Sequence, residues 1–281
     1  MNAFHSLWTL PGVLRNQGRV DFPDFELLTA ILSALKWKEN NGSIKLITDT
    51  PGALFFKEIG MEGLWDDIDL SLDDMDVRIN PFLFWAAGKL FALKKMETPC
   101  VMLDTDLIIW EKIDGLKDFE VVAAHPEALN PFVYPDPHTF LFEDGYTYPE
   151  NWDFSIAAAN TAFLYLKNQD FRDRYVEAAM DFFLHVKTDG LNTVNAMCFA
   201  EQRVLPMCAK AEKQKMAYLL DLARPEQQSL VTHTWGYKNV LRQNEAERTA
   251  FCKKCVRRVM KDFPESAHLI TENPILKKYA E

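Results

Sequence analysis

Two hydrophobic periods alternate along the N-terminal part of the chain. Residues 4–10 form an apolar block closed by Pro11-Gly12, which predicts a short strand and a turn. Over 25–38 the apolar side chains fall at helical spacing, with Leu28, Ile31, Leu32 and Leu35 on one face, and Asn40-Asn41-Gly42 stops that helix. Residues 44–49 are a short continuous apolar run, a buried strand, followed by a short helix through Phe55 and Phe56. A further strand is expected near 68–72, a helix over 80–95, and a strand over 99–110. This alternation predicts an α/β sheet with crossover helices.

The pattern then loosens. Residues 120–124 (EVVAA) read as a strand, and 126–149, rich in proline, aromatics and acids, as a long irregular loop of the kind that often carries function. Residues 155–166 predict a strand with a polar interruption at Asn160-Thr161. An amphipathic helix is expected over 170–186, with Phe171, Tyr175, Ala178, Phe182 and Val186 on its apolar face. A last helix over 245–263 sets Phe251, Cys255, Val259 and Phe263 on one stripe, while Lys253, Lys254, Arg257, Arg258 and Lys261 crowd its other sides. That basic face is either solvated or turned to an anionic membrane surface.

The run 99–110 (PCVMLDTDLIIW) holds the first candidate chemistry. Its strand has no polar face, yet it contains Asp104 and Asp106 at spacing i, i+2. Burying two carboxylates is costly unless their charge is compensated. A divalent cation would do so, and such an ion commonly bridges carboxylates to nucleotide phosphates. The bland reading is that the acids cap the loop at a strand end. Asp49, just before Pro51, reads in the same way as a helix cap, with a contact to a base or ribose as its alternative. The acidic run from Asp66 to Asp76 fails the EF-hand pattern, because Arg78 falls at a ligand position, and reads as a solvated loop.

Composition narrows the classes. The 281 residues are 48% hydrophobic and suit one large globular domain, or one with a helical appendage. A net charge of −10 argues against a general nucleic-acid binder, so an anionic substrate must be held locally by a metal or a few placed cations. No apolar run is long enough to span a bilayer, and the first residues lack the pattern of a signal peptide, so a cytoplasmic location is expected. Five scattered cysteines suggest no disulfide framework, and the CxxC of Cys252 and Cys255 lacks the second pair or histidines of a zinc site.

Further motifs join the Asp pair. THTWGYK places His233, Gly236 and Lys238 in an HxxGxxK pattern. Together with Asp104-Thr105-Asp106, this resembles glycosyltransferase family 8, whose members have a GT-A fold with a DxD motif. Asn160-Thr161-Ala162 resembles the Asn-rich strand that lines the donor-sugar pocket in such enzymes, and Glu201-Gln202 the acidic-residue-plus-Gln pair near sugar and acceptor. Lys89 precedes the Asp pair where family 8 members carry a donor-contacting cation. The chain departs from the family in two places: Asn239-Val240 follows Lys238 instead of Pro-Trp, and Ala162 replaces a glycine. It therefore resembles a divergent GT-A relative.

The resemblance implies an α/β GT-A fold, a mixed central sheet flanked by helices, over residues 1–244, with 245–281 as a helical extension of the same domain. It implies Mn²⁺ or Mg²⁺ on Asp104, Asp106 and His233, and a nucleoside-diphosphate sugar, a UDP-sugar foremost, held by Lys89, Asp104, Gly236 and Lys238. Glu201, Gln202 and Asn160 would be the catalytic group. The acceptor would be a glycan or lipid-linked glycan of polysaccharide biosynthesis, met in the cytoplasm or at the cytoplasmic face of the membrane. Two other classes stay open at this point. One is a metal-dependent phosphatase or nucleotide hydrolase on the same Asp pair; the other is a non-catalytic binding protein of GT-A type.

Overall fold

In the computed structural model, residues 1–143, 145–222 and 229–280 are described. The chain opens with β1 (Asn2–Leu7), α1 (Leu10–Arg15), α2 (Asp24–Asn40), β2 (Ile44–Thr48), α3 (Thr50–Glu58) and β3 (Ile68–Asp69). There follow α4 (Ala87–Lys95), β4 (Cys100–Leu103), β5 (Leu107–Ile109), β6 (Val121–Glu127), β7 (Ala158–Leu166) and α5 (Gln169–His185). Next come α6 (Thr193–Cys198), a π-helical turn over Phe199–Arg203, α7 (Val204–Ala211), β8 (Met216–Tyr218) and α8 (Leu219–Leu222). The last elements are β9 (Val231–His233), α9 (Tyr237–Gln243), α10 (Glu245–Asp262) and α11 (His268–Thr271). No described helix is long and apolar enough to cross a membrane.

The chain divides into two compact units. The first comprises Met1–Leu70, Asp104–Ile113 and the described part of 224–281. Its strands run β3-β2-β1, all parallel, with β5 and β9 pairing antiparallel as a separate ribbon. Helix α2 is buried from Asp24 to Trp37 apart from Glu26, and packs against β2, β5 and α10. A helix apolar nearly all round is one enclosed by its neighbours. Asp49 pins the ends of β1 and β2 together: its carboxylate accepts from Thr9 N (2.9 Å), Leu10 N (2.8 Å), Gly52 N (3.1 Å) and Thr9 Oγ1 (2.5 Å). It therefore caps α3 and the start of α1 at once. A Cβ on Gly52 would meet Thr48 Oγ1 at 2.2 Å, so this close approach admits only glycine.

The second unit comprises Ser71–Leu103 and the described part of 114–223. Its strands run β4-β7-β6-β8; β7 is antiparallel to β4 and β6, and β8 is parallel to β6, with a bulge between Ala123 and His125. All nine residues of β7 are buried. Helices α7 and α8 pack on the sheet, and α5 packs on α4 and α7. The expected α/β class with a mixed, helix-flanked sheet is thus observed.

Several boundaries differ from the sequence expectation. Pro11-Gly12 lies inside α1 rather than in a turn, because a proline in the first helical turn gives up only an N–H that has no intrahelical partner. The helix expected over 80–95 starts only at Ala87: Pro81 and the Asn80 side chain, which accepts from Phe82 N (2.9 Å), hold a turn before it. The strand expected over 99–110 is two strands, broken at Asp104-Thr105-Asp106. Asn160 and Thr161 do not interrupt β7, since hydrogen bonds to both side chains let the strand run through them. The loop after β6 is irregular as expected, apart from a 3₁₀ turn at Pro137–Thr139; its Asp144 lies outside the described residues. Cys252 and Cys255 are buried on the packing stripe of α10, and burial pushes both thiols up to about 12.

The C-terminal helices of the first unit are clasped by one buried acid. Asp24, at the start of α2, accepts from Arg248 Nε (2.6 Å) and Tyr279 Oη (2.6 Å) and pairs with Lys278 Nζ (3.0 Å). Burial alone would raise its pKa, but Arg248, Tyr279 and Lys278 outweigh that and hold the carboxyl below the ordinary range. A carboxylate with a depressed pKa stabilises the fold above its unfolded value, near 3.9, and the contribution fades as pH falls below it. Asp24→Asn is expected to cost about 2 kcal/mol at neutral pH in urea denaturation, the scale of hydrogen bonds to charged groups. The same variant should lose less stability than wild type between about pH 4 and pH 2.

Candidate metal centre and carboxylate cluster

Backbone pairing assembles the first candidate site within one unit. The turn after β4 closes with Leu107 N donating to Asp104 O (3.0 Å), and β5 then pairs with β9 in the register Leu107↔His233. Residues more than a hundred positions apart are thereby joined. Thr234 N donates to Asp106 O (3.3 Å) and Thr234 Oγ1 to Asp106 Oδ2 (3.0 Å). Lys238 Nζ lies 3.0 Å and His233 Nε2 3.7 Å from the same Oδ2. Asp104, Asp106 and His233 each present one ligand atom, and these atoms lie within 4.8 Å of one another. Two carboxylate oxygens and an imidazole nitrogen, on half-buried Asp104 and His233 and on buried Asp106, fit Mn²⁺ or Mg²⁺ and would leave coordination positions for a further ligand. Asp106 is the buried member, at 3% exposure, and Lys238 offsets its charge.

A neutral histidine supports this turn from behind. His5 on β1 accepts at Nδ1 from Trp65 Nε1 (3.0 Å), so its proton sits on Nε2, which donates to Ser33 Oγ (3.0 Å). Ser33 donates onward to Leu107 O (2.6 Å), at the first residue of β5. Burial pulls the His5 pKa down to about 3, against the opposing charge of Asp104. His5 and Ser33 were not singled out from sequence; their signal was a polar residue within an apolar strand and another within an apolar helix. Gly236 precedes α9 with φ −66°, a conformation open to any residue, and a Cβ there would meet no protein atom within 4 Å.

The second unit holds a separate polar cluster. The helical run from α6 to α7 widens into a π turn at Phe199–Arg203, a feature often found at functional sites. Glu201 sits on it and is buried. Its Oε1 accepts from Thr161 Oγ1 (2.6 Å) on β7 and from Lys89 Nζ on α4. Tyr175 Oη donates to the Glu201 carbonyl (2.7 Å), and Arg203 donates to Phe154 O (2.6 Å) and Ile156 O (2.9 Å), which pins the turn on both sides. Gln202 Oε1 accepts from Tyr134 Oη (2.5 Å) of the aromatic loop. Asn160 Nδ2 donates to Glu127 Oε1 (3.1 Å), and its Oδ1 accepts from Ala162 N (3.0 Å). Burial, then the charges of Cys198, Glu127 and Glu201, push the Tyr134 phenol upward, so it stays a donor to Gln202. Burial likewise pushes the Cys198 thiol up to about 12.

Within the first unit the structure brings together Asp104, Asp106, His233 and Lys238, with Gly236 in the connection between His233 and Lys238. Within the second it brings together Lys89 and Glu201, with Gln202 and Asn160 on adjoining backbone. The hydroxyl contacts of Thr234, Tyr134 and Tyr175 were not legible from sequence, since spacing carries no signal for the partner of a single hydroxyl.

No curated protein matches the chain. Among solved structures it is similar to the PaToxG glycosyltransferase, at 14% identity and TM-score 0.44, covering 75% of this chain and 69% of that one. It is also similar to the glycosyltransferase GlyE of Streptococcus pneumoniae TIGR4, at 12% identity and TM-score 0.40, over 83% of this chain and 54% of GlyE. An active-site mutant of LgtC matches at 11% identity and TM-score 0.37, over 78% of this chain and 72% of LgtC. A family model covers nearly the whole sequence, residues 1–273, and the chain belongs to that family, DUF6734, a family of unknown function.

Proposed function

We propose that this protein is a metal-dependent glycosyltransferase that moves a sugar from a nucleoside-diphosphate sugar, a UDP-sugar foremost, to a glycan or lipid-linked glycan. The observation that carries this reading is the convergence of Asp104, Asp106 and His233, with Lys238 on the same Asp106 oxygen. A donor set of two carboxylates and an imidazole beside a lysine suits a divalent cation and a diphosphate, and this supports the reading. The resemblance of the DTD and HTWGYK segments to family 8 motifs supports the same assignment.

Asp104, Asp106 and His233 would hold Mn²⁺ or Mg²⁺, which when bound neutralises charge developing on the departing nucleoside diphosphate. Thr234 orients Asp106 through Oδ2. Lys238 supplies a fixed positive charge for the diphosphate, and the open space at Gly236 admits a phosphate close to the backbone. In the second unit, Lys89 and Thr161 hold the Glu201 carboxylate in one orientation, where it can accept a hydrogen bond from a sugar hydroxyl or take its proton. Tyr134 holds the amide of Gln202 through its Oε1, and Nε2 is the group that would donate to a sugar hydroxyl. Asn160 and Lys89 complete the donor-sugar assignment. In this reading residues 1–244 are the transferase domain and 245–281 its helical extension, acting in the cytoplasm or at the cytoplasmic face of a membrane.

Mn²⁺ titrated into the protein should bind with one-site stoichiometry. Asp106→Asn should lose at least about 100-fold in affinity, and Thr234→Val about tenfold, the scale of outer-sphere partners. Thermal unfolding with nucleoside diphosphates and nucleotide sugars should shift upward for one base, only with Mn²⁺, and not in Asp106→Asn. Absence of any nucleotide-dependent shift would reject the donor site, and release of inorganic phosphate without a sugar product would assign a hydrolase instead. With the right donor and acceptor, Glu201→Gln should lower kcat by about 100-fold or more while Mn²⁺ affinity is unchanged.

A further inference from the structure

A cavity of about 410 Å³ opens in the first unit, with lining residues other than those of the carboxylate–histidine cluster. Its floor is apolar: Leu32 of α2, Ile108 of β5 and Phe251 of α10. Trp110 forms one wall, held by its Nε1 donating to Thr232 Oγ1 (2.8 Å) and by the Arg258 guanidinium 4.8 Å from the ring centre. The rim is cationic, with Lys254, Arg257, Arg258 and Lys261, and no acid among the described residues lines the cavity. Arg258 is engaged by Asp262 (2.7 Å). Lys254, Arg257 and Lys261 have no carboxylate partner among the described residues.

Three cations along one helix face, without a carboxylate partner among the described residues, run against the charge of a chain that carries −10 overall. A free inorganic anion would not use the apolar floor, and a neutral apolar molecule would not use the rim. We infer that this cavity binds an anionic amphiphile: a phosphate headgroup set among Lys254, Arg257 and Lys261, with its alkyl portion on Leu32, Ile108 and Phe251. The volume lies within the range of small-ligand pockets. Thr232 lines the cavity while its neighbour His233 belongs to the metal cluster. Successive strand residues face opposite ways, so the two sites lie on opposite faces of the β5–β9 ribbon and can be tested apart.

The test is isothermal titration of the full chain with inorganic phosphate and with butyl, hexyl and octyl phosphate below their micelle concentrations. Affinity should rise with chain length, up to about fourfold per methylene buried. In the exposed double variant Lys254→Gln/Arg257→Gln, octyl phosphate should bind about tenfold more weakly with the chain-length dependence retained, and Mn²⁺ binding should be unchanged. Sedimentation with anionic phospholipid vesicles separates the sources. Binding to alkyl phosphates and vesicles assigns a lipid headgroup, whereas binding to alkyl phosphates alone assigns a free amphiphile. Equal affinity for inorganic and octyl phosphate, wild-type binding by the double variant, or binding to vesicles without any alkyl phosphate would overturn the inference.

Discussion

Burial of carboxylates without loss of stability is the constraint on which this structure turns. Four acids are buried among the described residues: Asp24, Asp49, Asp106 and Glu201. An uncompensated charge at any of these positions would cost several kcal/mol, and the four are answered in two ways. Asp49 is saturated by neutral donors, and Asp24 by two cations, a phenol and the Phe25 N–H. A carboxylate has about four acceptor sites, so neither has capacity for a further partner. Asp106 and Glu201 instead share a leaner arrangement of one lysine and one threonine hydroxyl each. The donors on Asp106 fall on Oδ2, and those on the Glu201 carboxylate on Oε1. The saturated acids hold elements together; the two with remaining acceptor capacity are the ones a ligand could complete.

The legibility of these features in sequence follows the range of the interactions behind them. Strands β1 and β2 and helices α2 and α5 could be read because their periodicity is local. Asp104 and Asp106 could be named because two carboxylates at short spacing in an apolar run carry their chemistry, and His233 through the resemblance of its motif to family 8. What joins them could not be read: β9 has three residues, and its pairing with β5 rests on a register between distant segments. The break at the Asp pair was hidden for a related reason. The apolar run is continuous in sequence, and only the turn hydrogen bond from Leu107 to Asp104 divides it.

The second cluster was legible in part. Glu201, Gln202, Asn160 and Lys89 were identified through resemblance, and the structure supplies what resemblance could not, namely the contacts that hold each group. Tyr134 reaches Gln202 from a loop without periodicity, and Tyr175 reaches the Glu201 carbonyl from the buried face of α5, where its hydroxyl was masked by its role in an apolar stripe. Buried hydroxyls of this kind are invisible to pattern reading because their ring satisfies the pattern and their oxygen does not enter it.

The π turn also sets the phase of everything around it. A π turn accommodates about one residue more than an α turn, so α6 and α7 are not in the register a single continuous α-helix would give them. Each residue of an α-helix advances the face by about 100°. Removing one residue between Phe199 and Arg203 would therefore act as a rotation more than a shortening. To keep α7 on β7, the chain would have to turn Asn195 and its neighbours on α6 out of their present buried face. A one-residue gap in this turn would mark a homologue whose Glu201 equivalent faces a different environment.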